Sequence, residues 1–213
     1  MRYMRFPLSL RDVEDLLHER GIEVSHETVR FWWQRFGQLF ASGIRKIRIA
    51  GLKSSHWQWH LDEVFVNING ERHYLWRVVD HEGEVLESFV TKIRDRKAAL
   101  KFLRKAMRKL GRPEVVVTDR LLSYGAALRE GGAGNWQESG RWLNNRAENS
   151  HLPFRRRERA MLRFRCMRSL QKFTSVHAFV LNHFNSELHL YSRQNSKLNR
   201  TAALAEWRLL CSA

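Results

Sequence analysis

The middle of the chain, residues 57–119, passes through strand and helix patterns in an order that strongly limits the possible folds. Three runs rich in β-branched and aromatic residues occupy positions 57–68, 71–80 and 84–90. Asn69-Gly70 is a strong two-residue hairpin signal, and Gly83 suits a second short turn. We therefore expect three consecutive antiparallel strands in a meander.

An amphipathic helix and a short buried strand come next. Residues 94–111 place apolar side chains such as Phe102 on one face and lysines and arginines on the other. The run EVVVTD at 114–119 is typical of a buried strand, and a crossover helix would let it pair in parallel with the first strand. A further short helix follows. This is the order of an α/β ribonuclease H-like core, with three antiparallel strands and then parallel strands joined by crossover helices.

The N-terminal residues 1–40 predict a helix-turn-helix. Ser9 and Asp12 form a capping-box pattern, Gly21 ends the first helix, and Ser25 caps a second. In that second helix Val29, Trp32, Trp33 and Phe36 share an apolar face, while another face carries His26, Arg30 and Gln34. As a DNA-binding motif, it would let Arg30 and Gln34 reach base edges or phosphates. The alternative is a helical hairpin that only packs.

The remaining boundaries follow from changes in composition. Residues 41–55 are small, glycine-containing and basic, which predicts a linker. We expect a catalytic domain over 56–185 and a helical C-terminal segment over 186–213. There is no apolar run long enough to span a membrane and no secretory signal, so we expect a cytoplasmic protein that does not enter membranes.

The charge balance favours a polyanionic partner. The chain has 38 Lys and Arg against 22 Asp and Glu, a net charge of +16, and residues 145–213 carry +9 of it. Residues 154–168 contain seven arginines and one glutamate, and such a run repels itself unless a polyanion neutralises it. We therefore predict phosphate contacts from this arginine run: Arg155, Arg156, Arg157, Arg159 and Arg163.

Two acids are expected to meet at one edge of the sheet. Strand alternation places Asp62 and Glu63 on opposite faces, so only one of them would serve a given site. Asp119 ends the strand expected beside the first, where α/β sheets present ligands. A divalent cation would match the charges of Asp62 and Asp119. The alternatives are a turn cap for Asp119 and an exposed position or an arginine ion pair for Asp62.

A third acid, Glu148, opens an Asn-rich segment that is expected to become a helix. Pro153 is expected to kink or end that helix. Three carboxylates around two divalent cations would suit phosphoryl transfer, because two metals stabilise both the attacking and the leaving oxygen. If the three acids meet, we propose that Asp62 would be shared by the two metals and that Asp119 and Glu148 would each hold one.

The segments WHLDEVFVNINGERHYLWRVVD, VVTDRLLSYGAALRE and GRWLNNRAENSHLPFRRRERAMLRFR resemble the three catalytic blocks of the IS6 family of insertion-sequence transposases, in the DDE superfamily. The N-terminal FPLSLRDVEDLLHERGIEVSHETVRFW resembles that family's helix-turn-helix. The resemblance implies that Asp62, Asp119 and Glu148 are the catalytic metal ligands and that Glu63 does not ligate. Glu148 follows Asp119 by 29 positions, a shorter separation than is usual in the superfamily.

The resemblance implies a DNA transposase that uses Mg²⁺, with Mn²⁺ able to substitute. Its partners would be double-stranded DNA, namely the terminal inverted repeats and the target, and a homodimer or a higher synaptic assembly. It would act in the bacterial cytoplasm in association with the nucleoid, by replicative transposition with cointegrate formation. Two alternatives are a non-catalytic helix-turn-helix DNA-binding protein and a ribonuclease H-like metal-dependent nuclease.

Overall fold

The computed structural model describes residues 2–51, 58–119, 122–132, 134–140, 143–161, 164–184 and 192–212. These residues divide into two compact units. The helical unit comprises the described residues of 1–51, 156–162 and 175–213, and the sheet unit comprises those of 52–155 and 163–174. No helix in the described parts of the chain is long and apolar enough to cross a lipid bilayer.

The sheet unit contains the predicted meander: β1 (Gln58–Ile68), β2 (Glu71–Asp80) and β3 (Val85–Thr91) pair antiparallel in succession. Asn69 and Gly70 both have positive φ, at 52° and 84°, as a tight hairpin with this sequence requires.

Two further strands complete a sheet of order β3-β2-β1-β4-β5. The predicted β4 (Val115–Thr118) pairs in parallel with β1. β5 (Gln137–Ser139) pairs in parallel with β4 and was not predicted, because its three residues carry no strand pattern of their own.

One face of the sheet is covered by α4 (Arg96–Leu110) and α5 (Leu122–Glu130). The core at this face is aromatic: Trp76 meets Tyr124 edge-on at 5.6 Å between ring centroids and lies 6.2 Å from Phe102. Helix α4 connects β3 to β4, so it is the crossover that allows β4 to run parallel to β1.

Two longer helices follow, α6 (Asn145–Ala160) and α7 (Met167–Phe184). Helix α6 runs through Pro153 without ending, so of the two expected outcomes, a kink or an end, the end is excluded. The next residue, Phe154, is buried, with its ring 6.4 Å from those of both Phe164 and Phe173. Packing of this kind offsets the hydrogen bond that proline removes, since most helix stability in proteins comes from tertiary contacts.

The helical unit contains α1 (Arg2–Arg5), α2 (Leu10–His18), α3 (His26–Gly51) and α8 (Arg193–Ser212). Both halves of the Ser9–Asp12 capping box are present, at 3.1 and 2.7 Å. Helix α3 continues to Gly51, across most of the segment in which the sequence predicts a linker, because Ala41 and Ile44 are buried and keep the helical pattern. Residues 52–57 and 185–191 lie outside the described parts of the chain.

Candidate active site

Parallel pairing of β1 with β4 brings two distant acids together. Leu61 pairs with Thr118, so the next residues along each strand, Asp62 and Asp119, come side by side at the C-terminal end of β4. One carboxylate oxygen from each of Asp62, Glu63 and Asp119 lies within 4.8 Å of the other two. We call these three residues the acid group. The geometry expected for Asp62 and Asp119 is therefore present.

Glu63 also belongs to the acid group, which differs from the expectation that strand alternation separates it from Asp62. The contacts of the two residues do alternate: Asp62 bonds to His151 of α6, whereas Glu63 accepts a hydrogen bond from Tyr124 of α5 at 2.8 Å. Glu63 also forms an ion pair with Arg94. Asp62 and Glu63 thus have partners on different helices, as strand alternation predicts. The Glu63 side chain is long enough, however, to bring one of its oxygens close to Asp62.

Glu63 has an unusual electrostatic environment, with only 4% of its side chain exposed. Burial raises the pKa of Glu63 to about 7, further assisted by the nearby charges of Asp119 and Asp62 and opposed by the Tyr124 hydrogen bond and Arg94. Burial and Glu63 together raise the pKa of Tyr124 well above its ordinary value, so the phenol keeps its proton and acts as a donor. Glu63 therefore exchanges a proton near neutral pH in the metal-free protein.

Asp62 is held by a chain of side-chain contacts. His151 Nε2 lies 2.9 Å from Asp62 Oδ2, and Arg77 Nη1 lies 3.3 Å from His151 Nδ1 and donates to the Ser150 carbonyl at 2.6 Å. Because a guanidinium only donates, Nδ1 must accept, which leaves the proton on Nε2, where it is donated to Asp62. Burial lowers the pKa of His151, in agreement with a neutral ring.

Arg77 remains charged in this interior position. It is 2% exposed and lies opposite Asp62 in the β1–β2 register. Burial lowers the pKa of Arg77 to about 10, and the charge of Asp62 opposes the shift. At neutral pH the guanidinium is therefore protonated, and it fixes both the α6 backbone and the tautomer of His151.

One side of α6 is attached along β1. Asn144, just before the helix, donates to the Leu61 carbonyl at 2.9 Å, and Arg155 donates to the Phe65 carbonyl at 2.7 Å. His151 makes the contact between them. Since these positions are separated by seven and four residues, they lie on one side of the helix.

Glu148 lies on that same side, four residues after Asn144 and three before His151. Its side chain is exposed, however, and Glu148 is not a member of the acid group that the described residues form. The structure therefore brings Asp62 and Asp119 together and attaches the helix of Glu148 beside them, without bringing the Glu148 carboxylate into the group.

Sequence analysis missed the residues that support the acids: Arg77, Arg94, Tyr124 and His151. A signal existed for His151, which follows Glu148 by three residues and so had to lie near it on any helix. The role of Arg77 carried no signal, because an arginine within a strand pattern is usually exposed.

The predicted DNA-contacting arginines differ in their surroundings. Arg157 is 2% exposed, donates to the Leu8 carbonyl at 2.6 Å and lies 4.5 Å from the centre of the Tyr3 ring. It is an interior group of the helical unit and is not accessible to a phosphate, which corrects the prediction. Arg156 and Arg159 are exposed, Arg155 is half-buried, and Arg163 lies outside the described residues.

The predicted contact residues of α3 have acidic neighbours. His26 Nδ1 lies 2.9 Å from a Glu14 oxygen, which ties the start of α3 to α2. Arg30 forms an ion pair with Glu27 at 2.8 Å. Gln34 is exposed. DNA contact through this face would therefore compete with the existing contact of His26 with Glu14 and the ion pair of Arg30 with Glu27.

This chain is similar to known proteins in structure and in sequence. A solved structure of the HTLV-2 integrase catalytic core domain in complex with magnesium, in its trimeric form, has 13% sequence identity and a TM-score of 0.48, covering 67% of this chain and 97% of that chain. The transposase for insertion sequence-like element IS431mec of Staphylococcus aureus strain Mu50 is 33% identical over 126 residues, covering 59% of this chain and 54% of the relative.

The transposase for insertion sequence element IS257 in transposon Tn4003 of Staphylococcus aureus is 32% identical over 126 residues, covering 59% of this chain and 54% of the relative. The chain thus spans about half the length of these curated relatives. The sequence model of the DDE domain family matches residues 56–187. Because this match covers more than half of the chain, the chain belongs to the DDE domain family of insertion-sequence transposases, and the predicted IS6-family resemblance is confirmed.

Proposed function

We propose that this protein is the DNA transposase of an insertion sequence, which binds the element's ends and catalyses metal-dependent strand cleavage and strand transfer into target DNA. The observation that carries the proposal is the convergence of Asp62 and Asp119, 57 residues apart in sequence, at the point where the parallel pairing of β1 with β4 ends, in a DDE-family chain. A purely structural role gives no reason to gather acids that repel one another.

The donor set suits a hard divalent cation. Carboxylate oxygens are the ligands that Mg²⁺ prefers, and Mn²⁺ accepts the same set. Asp62 and Asp119 would hold the ions together with Glu148. Both oxygens of Glu63 already have partners, Tyr124 and Arg94, which favours the two aspartates as ligands. When bound, two divalent ions stabilise the attacking and leaving oxygens of an in-line phosphoryl displacement.

The chain's own residues would orient this site. His151 donates to one oxygen of Asp62, and the other accepts the Glu63 backbone N–H at 2.8 Å, so the Asp62 carboxylate is fixed before any ligand arrives. Glu148 would join by side-chain rotation, because hydrogen bonds already attach its helix to β1. We propose that this closing movement accompanies the binding of metal and DNA.

The reaction would proceed in two displacements at phosphorus. Water first attacks the phosphodiester at the transposon end, forming one P–O bond while the bond to the 3′-oxygen breaks. The freed 3′-hydroxyl then attacks a target phosphodiester, and the target's own 3′-oxygen leaves. From the family resemblance we infer that these two steps belong to replicative transposition, which forms cointegrates. Helices α2 and α3 are proposed as the end-recognising helix-turn-helix, and pairing of two ends would require a dimer or larger assembly.

A non-catalytic DNA-binding protein is the second candidate, and the exposed position of Glu148 outside the acid group favours it. One assay separates the candidates. Labelled linear DNA carrying an element end is incubated with the full chain, Mg²⁺ and a target plasmid. Joined product supports the transposase, cleaved product alone supports a nuclease, and DNA that is bound but intact supports the non-catalytic protein.

The roles of the acids are tested in the same assay. Asp62→Asn, Asp119→Asn and Glu148→Gln are each expected to abolish cleavage while DNA affinity stays within about threefold, because each change removes a charge that is needed for metal binding rather than for DNA binding. Glu114→Gln is the matched control, since Glu114 is an exposed acid just before β4. Normal cleavage by any of the three variants would remove that residue from the site.

A further inference from the structure

Helix α4 carries an outward face that the proposed chemistry does not use. Seven of its fifteen residues are Lys or Arg and none is acidic. Three of the seven have acidic partners: Arg96 pairs with Glu130 at 3.2 Å, and Lys105 and Lys109 both pair with Glu87, at 3.6 and 2.6 Å. These three are accounted for by the packing of the sheet unit.

The other four basic residues form what we call the α4 stripe: Lys97, Lys101, Arg104 and Arg108. All four are exposed, and none forms an ion pair with an acid in the described parts of the chain. Their spacing of four, three and four residues places them in a line along one side of the helix. Like charges on successive turns destabilise a helix, so the stripe has an energetic cost that a bound polyanion would remove.

The α4 stripe begins beside the acid group and leads away from it. Arg94, two residues before α4, contacts Glu63, a member of the acid group. From Lys97 to Arg108 the helix rises roughly 16 Å, at about 1.5 Å per residue. A DNA duplex carries one negative charge per about 1.7 Å of its axis, so a stripe of this length lies beside several phosphates.

A groove between α4 and α5 continues the same line. Its volume is about 620 Å³, and its lining includes Leu103, Met107, the acid Glu130 that pairs with Arg96, and three arginines at intervals of four residues: Arg104, Arg108 and Arg112. The cationic surface therefore extends one turn beyond the helix. Charge complementarity makes an anionic backbone the fitting occupant. A second copy of the chain would bring two such stripes face to face, and their charges would repel.

We propose that the α4 stripe binds the backbone of target DNA next to the scissile phosphate. Lysine and arginine on a smooth helical face contact phosphates without reading bases, which suits DNA of arbitrary sequence. This inference rests on the proposed transposase function and adds to it the path along which the target leaves the acid group.

The test compares two triple variants of the full chain. Lys97→Gln/Lys101→Gln/Arg104→Gln removes three charges from the stripe while keeping good helix formers. Arg193→Gln/Lys197→Gln/Arg200→Gln removes three exposed charges from α8 as the matched control. Affinity for a duplex without element ends is measured over a range of salt concentrations. The stripe variant is expected to reduce the slope of log affinity against log salt by about three, and the control by less than one.

Joining of a pre-cleaved element end to a target plasmid separates the failure of this inference from that of the proposed function. The stripe variant is expected to lose joining at least tenfold at 150 mM salt, whereas cleavage of a linear element end stays within about threefold. If the wild type joins DNA and the stripe variant matches it in slope and joining, the α4 inference is overturned and the transposase function stands. If the wild type neither cleaves nor joins, the proposed function itself fails.

A measurement on the unmodified chain guards against misfolding of the variant. Lysine acetylation followed by mass spectrometry is compared with and without duplex DNA. Duplex is expected to protect Lys97 and Lys101 at least fivefold more than Lys197 of α8. Equal protection of all three lysines would overturn the inference, as would a change of oligomeric state in the stripe variant with an unchanged salt slope.

Discussion

The two acids positioned by strands, Asp62 and Asp119, already lie close together, whereas the acid on a helix, Glu148, lies apart from them. Asp62 and Asp119 are placed by the backbone pairing of β1 with β4, and their oxygens already lie within 4.8 Å. Glu148 is placed by side-chain contacts of α6, and its carboxylate is exposed. We infer a site with a fixed half, Asp62 and Asp119, built by strand register, and an adjustable half, Glu148, on α6.

This difference has a physical basis. A register shift between paired strands would turn every side chain of β1 to the other face, so the core of Trp59 and Leu61 holds Asp62 in place. Helix α6 is joined to β1 by Asn144, His151 and Arg155, and a side chain on its first turn can change rotamer without disturbing these bonds. The fixed half should therefore tolerate substitution least.

The largest effect is expected from breaking the fixed half. Asp62→Asn should lower end cleavage by at least about 10³-fold, the scale seen when a principal electrostatic group of an active site is removed. Cleavage is measured with labelled element ends in saturating Mn²⁺, with DNA affinity as the control. A loss smaller than tenfold would show that the strand-borne acids are not the centre of the site.

Glu63→Gln tests the buried environment beside Asp62 through the pH dependence of the free energy of unfolding in metal-free buffer. The folded-state pKa of Glu63 is about 7, above the ordinary 4.5, so its favourable contribution is present below pH 4.5 and is lost as pH rises through 7. Glutamine does not titrate. The free energy of unfolding of the variant relative to wild type should therefore increase by about 3 kcal/mol between pH 4.5 and 8, at about 1.4 kcal/mol per pKa unit.

Urea denaturation at a series of pH values in EDTA measures this difference. Glu114→Gln, at an exposed position, serves as the control and should give a flat difference. A flat difference for Glu63→Gln as well would mean that Glu63 is not held in the buried environment described.

His151 links the two halves, and its substitution tests that link. His151→Leu removes the donor to Asp62 and should raise the Mn²⁺ concentration for half-maximal cleavage by about 10–100-fold, as for other partners of metal ligands. His151→Gln retains an N–H near Nε2 and should recover part of the loss. His73→Gln changes a buried histidine of β2 that contacts the Glu71 carbonyl, and it should have little effect. Equal loss in the Leu and Gln variants would contradict the donor role.

The smallest effect is expected at the far end of α6. Arg155→Met removes the hydrogen bond to the Phe65 carbonyl and should lower the free energy of unfolding by about 1 kcal/mol. Arg156→Met, at an exposed neighbouring position, should change it by less than about 0.5 kcal/mol. Thermal denaturation of both variants provides the comparison, and equal stability of the two would show that Arg155 does not help attach α6.

The strand-borne half was predictable from sequence because its signals are local. Asn69-Gly70 sets the hairpin, and the β-branched run before Asp119 sets the parallel strand, so the meeting of Asp62 with Asp119 follows from topology. The contact of His151 with Asp62 spans 89 residues and depends on how α6 packs, which no local pattern encodes.

Burial of charged residues was the other feature that could not be predicted from the sequence. Phosphate contact was predicted for five arginines of the run, including Arg157, yet Arg157 faces the interior of the helical unit. A basic run does not show which of its residues is buried. Burial of Arg157 depends on its tertiary contacts, the Leu8 carbonyl and the Tyr3 ring. Helix α3 exceeded its predicted length for a similar reason, because burial of Ile44 outweighs the linker-like composition around it.

Binding of Mn²⁺ to the DNA-free chain, followed by electron paramagnetic resonance, tests most directly whether strand register assembles the metal site. We expect the wild type and Glu148→Gln both to bind at least one Mn²⁺, and Asp62→Asn and Asp119→Asn to lose that binding. Loss of Mn²⁺ in Glu148→Gln together with undiminished binding in Asp119→Asn would contradict a fixed half built by β1 and β4.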